Sequence, residues 1–191
     1  MPDRVHHVWS PIARARWAAM VPVLLLAAGC ATGRPPGAAD ACGASGYVLA
    51  PVTLREWGEY EPEAAERRVD APLTTTGYVH QIGALEVPRL KERTDRVPAR
   101  VGVRFGVRFV VERGTLDDIT ELRTRVLHPP MQNPATGQTT EREEWPAPAN
   151  GRLPRFTGWR FEHPWEVVPG QWVIQLLDCG RVVAEKAFSV E

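Results

Sequence analysis

The chain has 191 residues, 23 basic against 23 acidic side chains, and a hydrophobic share of 43%. That size fits one domain with a real core, or one domain plus a tether. The charge balance removes any bulk attraction to nucleic acid, so no nucleic-acid partner is expected.

The first predicted element is an export signal. Arg4, Arg14 and Arg16 precede an apolar run, Trp17 to Ala28, which Gly29 and Cys30 close. A basic start, a short apolar stretch and small residues before a cleavage point make a secretory signal. A membrane-spanning helix needs about 20 apolar residues; this run is shorter, and Pro22 interrupts it. Leu26-Ala27-Ala28-Gly29-Cys30 resembles the lipobox of bacterial lipoproteins, with Leu26 one place further from the cysteine than the usual leucine. The resemblance implies that residues 1–29 are removed and that the Cys30 thiol takes diacylglycerol. A lipid anchor then holds the mature chain in a membrane, each buried CH₂ contributing about 0.8 kcal/mol. Ala31 is not the aspartate of the inner-membrane sorting pattern, so the expected address is the outer membrane, facing the periplasm.

With Cys30 lipidated, Cys42 and Cys179 remain. An oxidising compartment favours a disulfide between them. Chain-entropy reasoning puts so long a loop at roughly 4–5 kcal/mol. The alternative is two free thiols. Neither cysteine has a C-x-x-C neighbour, so a metal site is not expected there.

Residues 30–46 are rich in Gly, Ala and Pro and read as a tether. The domain then occupies 47–191. Its clearest strand is Val101 to Val111, where valines and phenylalanines alternate with Gly102, Arg104, Gly106 and Arg108. Such alternation predicts one buried face and one wet or lightly covered face, the glycines marking a bulge or a close neighbour. Gly114-Thr115 turns the chain, and the alternation resumes from Thr120 to Val126, predicting a hairpin. Near the C-terminus, Trp172, Ile174 and Leu176 share a face, Asp178-Cys179-Gly180 turns, and Val182 to Val190 alternate again. Lys186 breaks that last stripe, its stem able to snorkel. Weaker strands are expected at Tyr47–Glu59, Thr76–Leu85, Thr139–Trp145 and Phe156–Phe161. Only Glu61–Arg68 and Pro88–Arg96 suit a short helical turn. The pattern predicts an all-β fold: an immunoglobulin-like antiparallel β-sandwich of seven or eight strands.

Several short motifs occur in order: Trp57-Gly58-Glu59-Tyr60, Thr74-Thr75-Thr76-Gly77, Phe105-Gly106, the stretch from His128 to Gly137, Gly158-Trp159-Arg160-Phe161, Pro164-Trp165-Glu166, Pro169-Gly170-Gln171-Trp172, and Lys186 to Val190. Together they resemble a bacterial family of secreted domains of unknown function. The resemblance covers Trp57 to Val190 and implies a stand-alone envelope domain, without assigning a catalytic residue.

Chemistry-bearing signatures are scarce. The sequence has no G-x-S-x-G elbow, H-E-x-x-H, Walker loop or dinucleotide fingerprint, so neither catalysis nor a cofactor is expected. His80, His128 and His163, with Met131, are a candidate copper set, His128, Met131 and His163 foremost; the histidines read more simply as surface or hydrogen-bonded side chains. Asp117-Asp118 reads as a solvated turn, and Glu141 and Glu143 as a wet strand face beside Arg142, although paired carboxylates would also suit an assembled hydrolase site. Of the five mature tryptophans, Trp172 is assigned to the core, and Trp145 and Trp165, beside turn prolines, to the surface. The stretch from His128 to Gly151, two turn-rich segments around a possible hairpin strand, reads as a connection able to carry binding residues. His128, Met131, Asn133, Trp145 and Trp165 are therefore the candidate contacts of a non-catalytic module for a protein or glycan partner. A copper-binding protein and a carboxylate hydrolase remain the alternatives.

Overall fold

The computed structural model describes Cys42 and residues 48–61, 66–83 and 86–191, all within the compact unit Pro36–Glu191. The export signal, the lipidation site Cys30, most of the tether, Tyr47, Leu85 and part of the Glu61–Arg68 turn lie outside the described residues.

In chain order the strands are β1 (Val52–Tyr60), β2 (Glu66–Asp70), β3 (Tyr78–Ile82), β4 (Leu90–Glu92), β5 (Arg96–Val97), β6 (Arg104–Val111) and β7 (Ile119–Thr120). They continue with β8 (Arg123–Gln132), β9 (Thr139–Pro146), β10 (Ala149–Asn150), β11 (Arg155–Arg160), β12 (Gly170–Asp178) and β13 (Arg181–Val190), with a single 3₁₀ turn at Pro164–Glu166. One sheet runs β11-β6-β1-β4 and the other β5-β13-β12-β8-β9. Two small ladders, β2-β3 and β7-β10, complete the set. The immunoglobulin-like sandwich expected from the alternation is the fold.

The core forms where the inner faces meet. Phe105, Val107 and Trp159 from the first sheet face Val126, Met131, Trp145, Trp172, Ile174 and Phe188 from the second, all at most 8% exposed. The rings interlock: Phe105 meets Phe188 at 5.2 Å and Trp172 at 5.8 Å between centroids. Trp159 lies 5.9 Å from Trp172 and 6.1 Å from Trp145. Aromatic side chains bury large areas each, and tilted pairs at these distances add to that burial. The Trp172 indole donates to Val168 O at 2.9 Å, which satisfies its polar atom.

Three sequence expectations change. β6 is covered on both faces, because its outer arginines find partners: Arg104 bonds Glu66, and Arg108 lies 2.9 Å from Glu56. Gly106 does mark a close neighbour. It sits in register with Gly58 and Gly158 across three strands, and a Cβ there would lie 2.4 Å from Thr157 O. The Phe156 ring lies over this glycine row and meets Tyr60 edge-on at 4.7 Å. Second, β6 and β8 form no hairpin; the chain crosses from one sheet to the other between them. Alternation reports which face of a strand is buried, not which sheet receives it. Third, the described residues of the segments expected to hold helical turns carry the start of β2, then β4 and β5.

At the β12–β13 tip, Cys179 and Gly180 have φ of 49° and 74°. Two left-handed residues between antiparallel strands make a tight two-residue hairpin turn. Cys179 there is bonded to Cys42, with 5.4 Å between Cα atoms. Asp178 accepts from the Ala50 amide at 2.6 Å. Both links tie the chain entering β1 to the same tip.

Candidate functional site

The candidate contacts taken from the sequence are largely internal. His128, Met131 and Trp145 are 6%, 1% and 5% exposed. The stretch that carries them is no long loop: β8 runs through Pro129 and Pro130 to Gln132, and β9 returns directly. The imidazole of His128 stacks on Trp172 at 4.8 Å, and its Nδ1 lies 2.8 Å from Pro129 O. Trp165 is half-buried against His163, rings stacked at 5.5 Å. Asn133 shapes the β8–β9 turn, accepting from Ala135 N at 2.9 Å and donating to Thr75 O at 3.1 Å. Burial of His128 and Met131 removes the copper set from solvent. Asp118 is the turn residue expected, taking the Thr115 amide at 2.7 Å.

Glu143 is the largest departure. It is 0% exposed, on the inner face of β9 two places before Trp145. Its carboxylate accepts from the Thr75 amide at 2.6 Å, from the Thr75 hydroxyl, and from Thr140 Oγ1 at 2.8 Å. His128 Nε2 stands 3.6 Å away. A buried carboxylate persists only when hydrogen-bonded in this way. The acceptor holds the Thr74-Thr75-Thr76-Gly77 turn, which joins β2 to β3, against the second sheet.

The β2–β3 hairpin is thereby strapped across the open side of the sandwich, where the edge strands β11 and β9 lie. Toward β9 it is tied by Glu143, by Leu73 O accepting the Glu144 amide at 3.1 Å, and by Gln81 Nε2 donating to Pro146 O at 2.9 Å. Toward β11 it is tied by ions. Glu66 takes Arg104, which is 2% exposed, and Arg160 at 3.1 Å. Glu162 takes Arg160 at 2.8 Å and His80 Nδ1. Between hairpin and sandwich lies a cleft that opens to solvent, walled by Tyr78, Trp145, Phe156 and Trp159.

The environment separates two carboxyls in this cleft. Burial pushes Glu162 up, but hydrogen bonds from His80 and Arg160 outweigh it and hold the group below the usual carboxylate range. Burial pushes Glu166 up and wins, against the amides of Glu162 and His163 that its Oε2 accepts. Glu66, His80 and Glu162 place ligand atoms within 4.8 Å of one another, a spacing a divalent cation can bridge. Neither His128 nor His163 belongs to that group. The guanidiniums of Arg104 and Arg160 already neutralise its carboxylates, and a cation would have to displace them against like-charge repulsion.

Two donors on residues lining the cleft have no acceptor among the described residues. Arg155, at the end of β11 away from the ion pairs, has no charged or hydrogen-bonding partner among the described residues, and burial alone draws its guanidinium down. Trp159, 8% exposed, has an indole N–H that is sealed from solvent and has no partner among the described residues. His80 was weighed in the sequence with the other histidines, but Glu66, Arg155, Arg160 and Glu162 did not stand out individually, because the cluster forms only where the β2–β3 hairpin, β6 and β11 meet. The one available signal was the ordered motif set: Thr74–Gly77 and Gly158–Phe161 flank the cleft.

A model of the family described as "Domain of unknown function (DUF3859)" matches residues 52–190. Among solved structures, the chain is similar to the crystal structure of an immunoglobulin-like protein from Pseudomonas aeruginosa. The two are 25% identical with a TM-score of 0.52, over 76% of this chain and 100% of that one. No curated protein matches the chain. The matched segment runs from the first residue of β1 to the last of β13, and the chain belongs to the DUF3859 family of domains of unknown function.

Proposed function

We propose that this protein is a bacterial envelope lipoprotein, anchored through Cys30, whose sandwich binds another molecule in the β3–β11 cleft without transforming it. The observation that carries the reading is the imbalance inside the cleft. Glu66 and Glu162 are consumed by internal arginine and histidine partners, while the Arg155 guanidinium has no acceptor among the described residues. A half-buried, unpaired guanidinium in an aromatic-walled concavity is what a ligand site presents. The anchor rests on the lipobox-like sequence, which also supports periplasmic placement.

A photoreactive residue at Ile82, beside the cleft, tests this in cells making the full chain. A discrete adduct from position 82, absent from a control at the exposed Leu116, is the expected outcome. Equal labelling from both positions removes the cleft as the site. A mature mass beginning at acylated Cys30 is expected for the native protein; an intact leader removes the envelope role.

One observation favours a hydrolytic second reading: Glu162 is held down and Glu166 pushed up in the same cleft, and pairs so separated serve as base and acid elsewhere. Both groups are occupied by internal hydrogen bonds, which makes binding the stronger reading. Glycoside or ester turnover by the full chain that E166Q abolishes would reverse that order.

A further inference from the structure

We infer that the cleft takes an extended acidic segment of another protein, added as a strand to the free edge of β11. This deepens the binding role proposed above and rests on it.

The backbone geometry points to a strand. β11 pairs with β6 through Arg155↔Phe109, Thr157↔Val107 and Trp159↔Phe105, and Phe161 N donates to Val103 O. Peptide groups alternate sides along a strand. Those of Phe156, Gly158 and Arg160 therefore face away from β6, into the cleft, and no described group bonds them. Among the described strands β3 pairs with β2 alone, and its residues line the same space. An unpaired edge is a template for another strand, and proteins usually pair it or cover it. Here the β2–β3 hairpin covers the edge without forming a ladder with it. Main-chain bonds to such an edge supply affinity, and pockets for alternate side chains supply specificity. Tyr78, Trp145, Phe156 and Trp159 are those walls.

Charge selects the occupant. The ion-paired end of the cleft is neutralised, and Arg155 sits at the opposite end of β11 without a partner. A carboxylate from an aspartate or glutamate in the added strand would satisfy Arg155. A planar guanidinium suits a carboxylate by paired hydrogen bonds.

The test uses the full chain in detergent against an array of C-terminally amidated peptides. Each peptide alternates apolar residues and carries Glu, Gln or Lys at one central position; an oligogalacturonate is the non-peptide acid. Glu peptides are expected to bind best, with slowed amide exchange at Phe156, Gly158 and Arg160. R155Q is expected to weaken them by about tenfold or more, as loss of one charge-assisted hydrogen bond implies. R155E is expected to reverse the preference toward Lys. Arg155 holds no other described group, so unchanged melting of both variants is expected and confirms that they are folded. Binding indifferent to the charge at 155, unslowed exchange at the three edge amides, or retention of the oligouronate with no peptide each overturns the inference. A cleft-specific adduct from position 82 alongside any of those results keeps the binding role and removes the acidic strand.

Discussion

Glu143 shows what a single carboxylate can organise. It accepts hydrogen bonds from a segment 68 residues away and is sealed beneath it. In the sequence it alternates with Arg142 and Glu144 and reads as a wet strand face. Its true company was also visible, since Glu143 and Trp145 share a face and Trp145 is buried. The partner, the Thr75 amide, carries no side-chain signature, so no sequence pattern could announce the bond. E143A leaves buried donors unpaired and is expected to cost about 3 kcal/mol, the range seen when one member of a buried charged network is removed. Urea unfolding would read the loss. E143Q, which keeps one acceptor, should lie between the variant and the wild type.

At the level of elements, the β2–β3 hairpin is a strap whose hold on β11 is ionic. Of the Glu61–Arg68 segment, residues 66–68 lie in β2 rather than in a helical turn, with Glu66 spent on Arg104 and Arg160. Two carboxyls beneath the strap respond to pH with opposite signs. The folded Glu162 is depressed, so its stabilisation is full above the ordinary carboxylate value of 4.5 and is lost as pH falls through the folded value. The folded Glu166 is raised, so its contribution is full below 4.5 and is lost as pH rises through the folded value. E162Q should therefore be less stable than wild type at pH 7 and converge with it in acid. E166Q should be more stable at pH 7, since glutamine mimics the protonated acid and keeps an acceptor, and should also converge in acid. Thermal midpoints across pH 3–8 check both. Parallel slopes for the two variants would break the assignment.

Across the whole molecule, the strands were legible because period-two alternation marks them, and the sandwich followed from their number and spacing. The cross-sheet path was not legible, since Val101–Val111 and Thr120–Val126 alternate equally well whether or not they pair. The cleft was hidden for the same reason: it exists only where two edges and a strap converge. One long-range link could be counted from composition. Cys42 and Cys179 close a separation of 137 residues, and reducing them should lower stability by roughly 4–5 kcal/mol on chain-entropy grounds. Denaturation with and without reductant would measure it; a change well under 1 kcal/mol would mean the unfolded chain is already confined.

The most direct measurement of the cleft's role is amide hydrogen exchange at Phe156, Gly158 and Arg160. Full-length protein in its native membranes would be compared with the same protein purified free of other components. An occupied edge exchanges slowly in the membranes and faster once purified, and that difference is the expected result. Identical exchange at all three positions in both preparations would contradict a bound strand on β11.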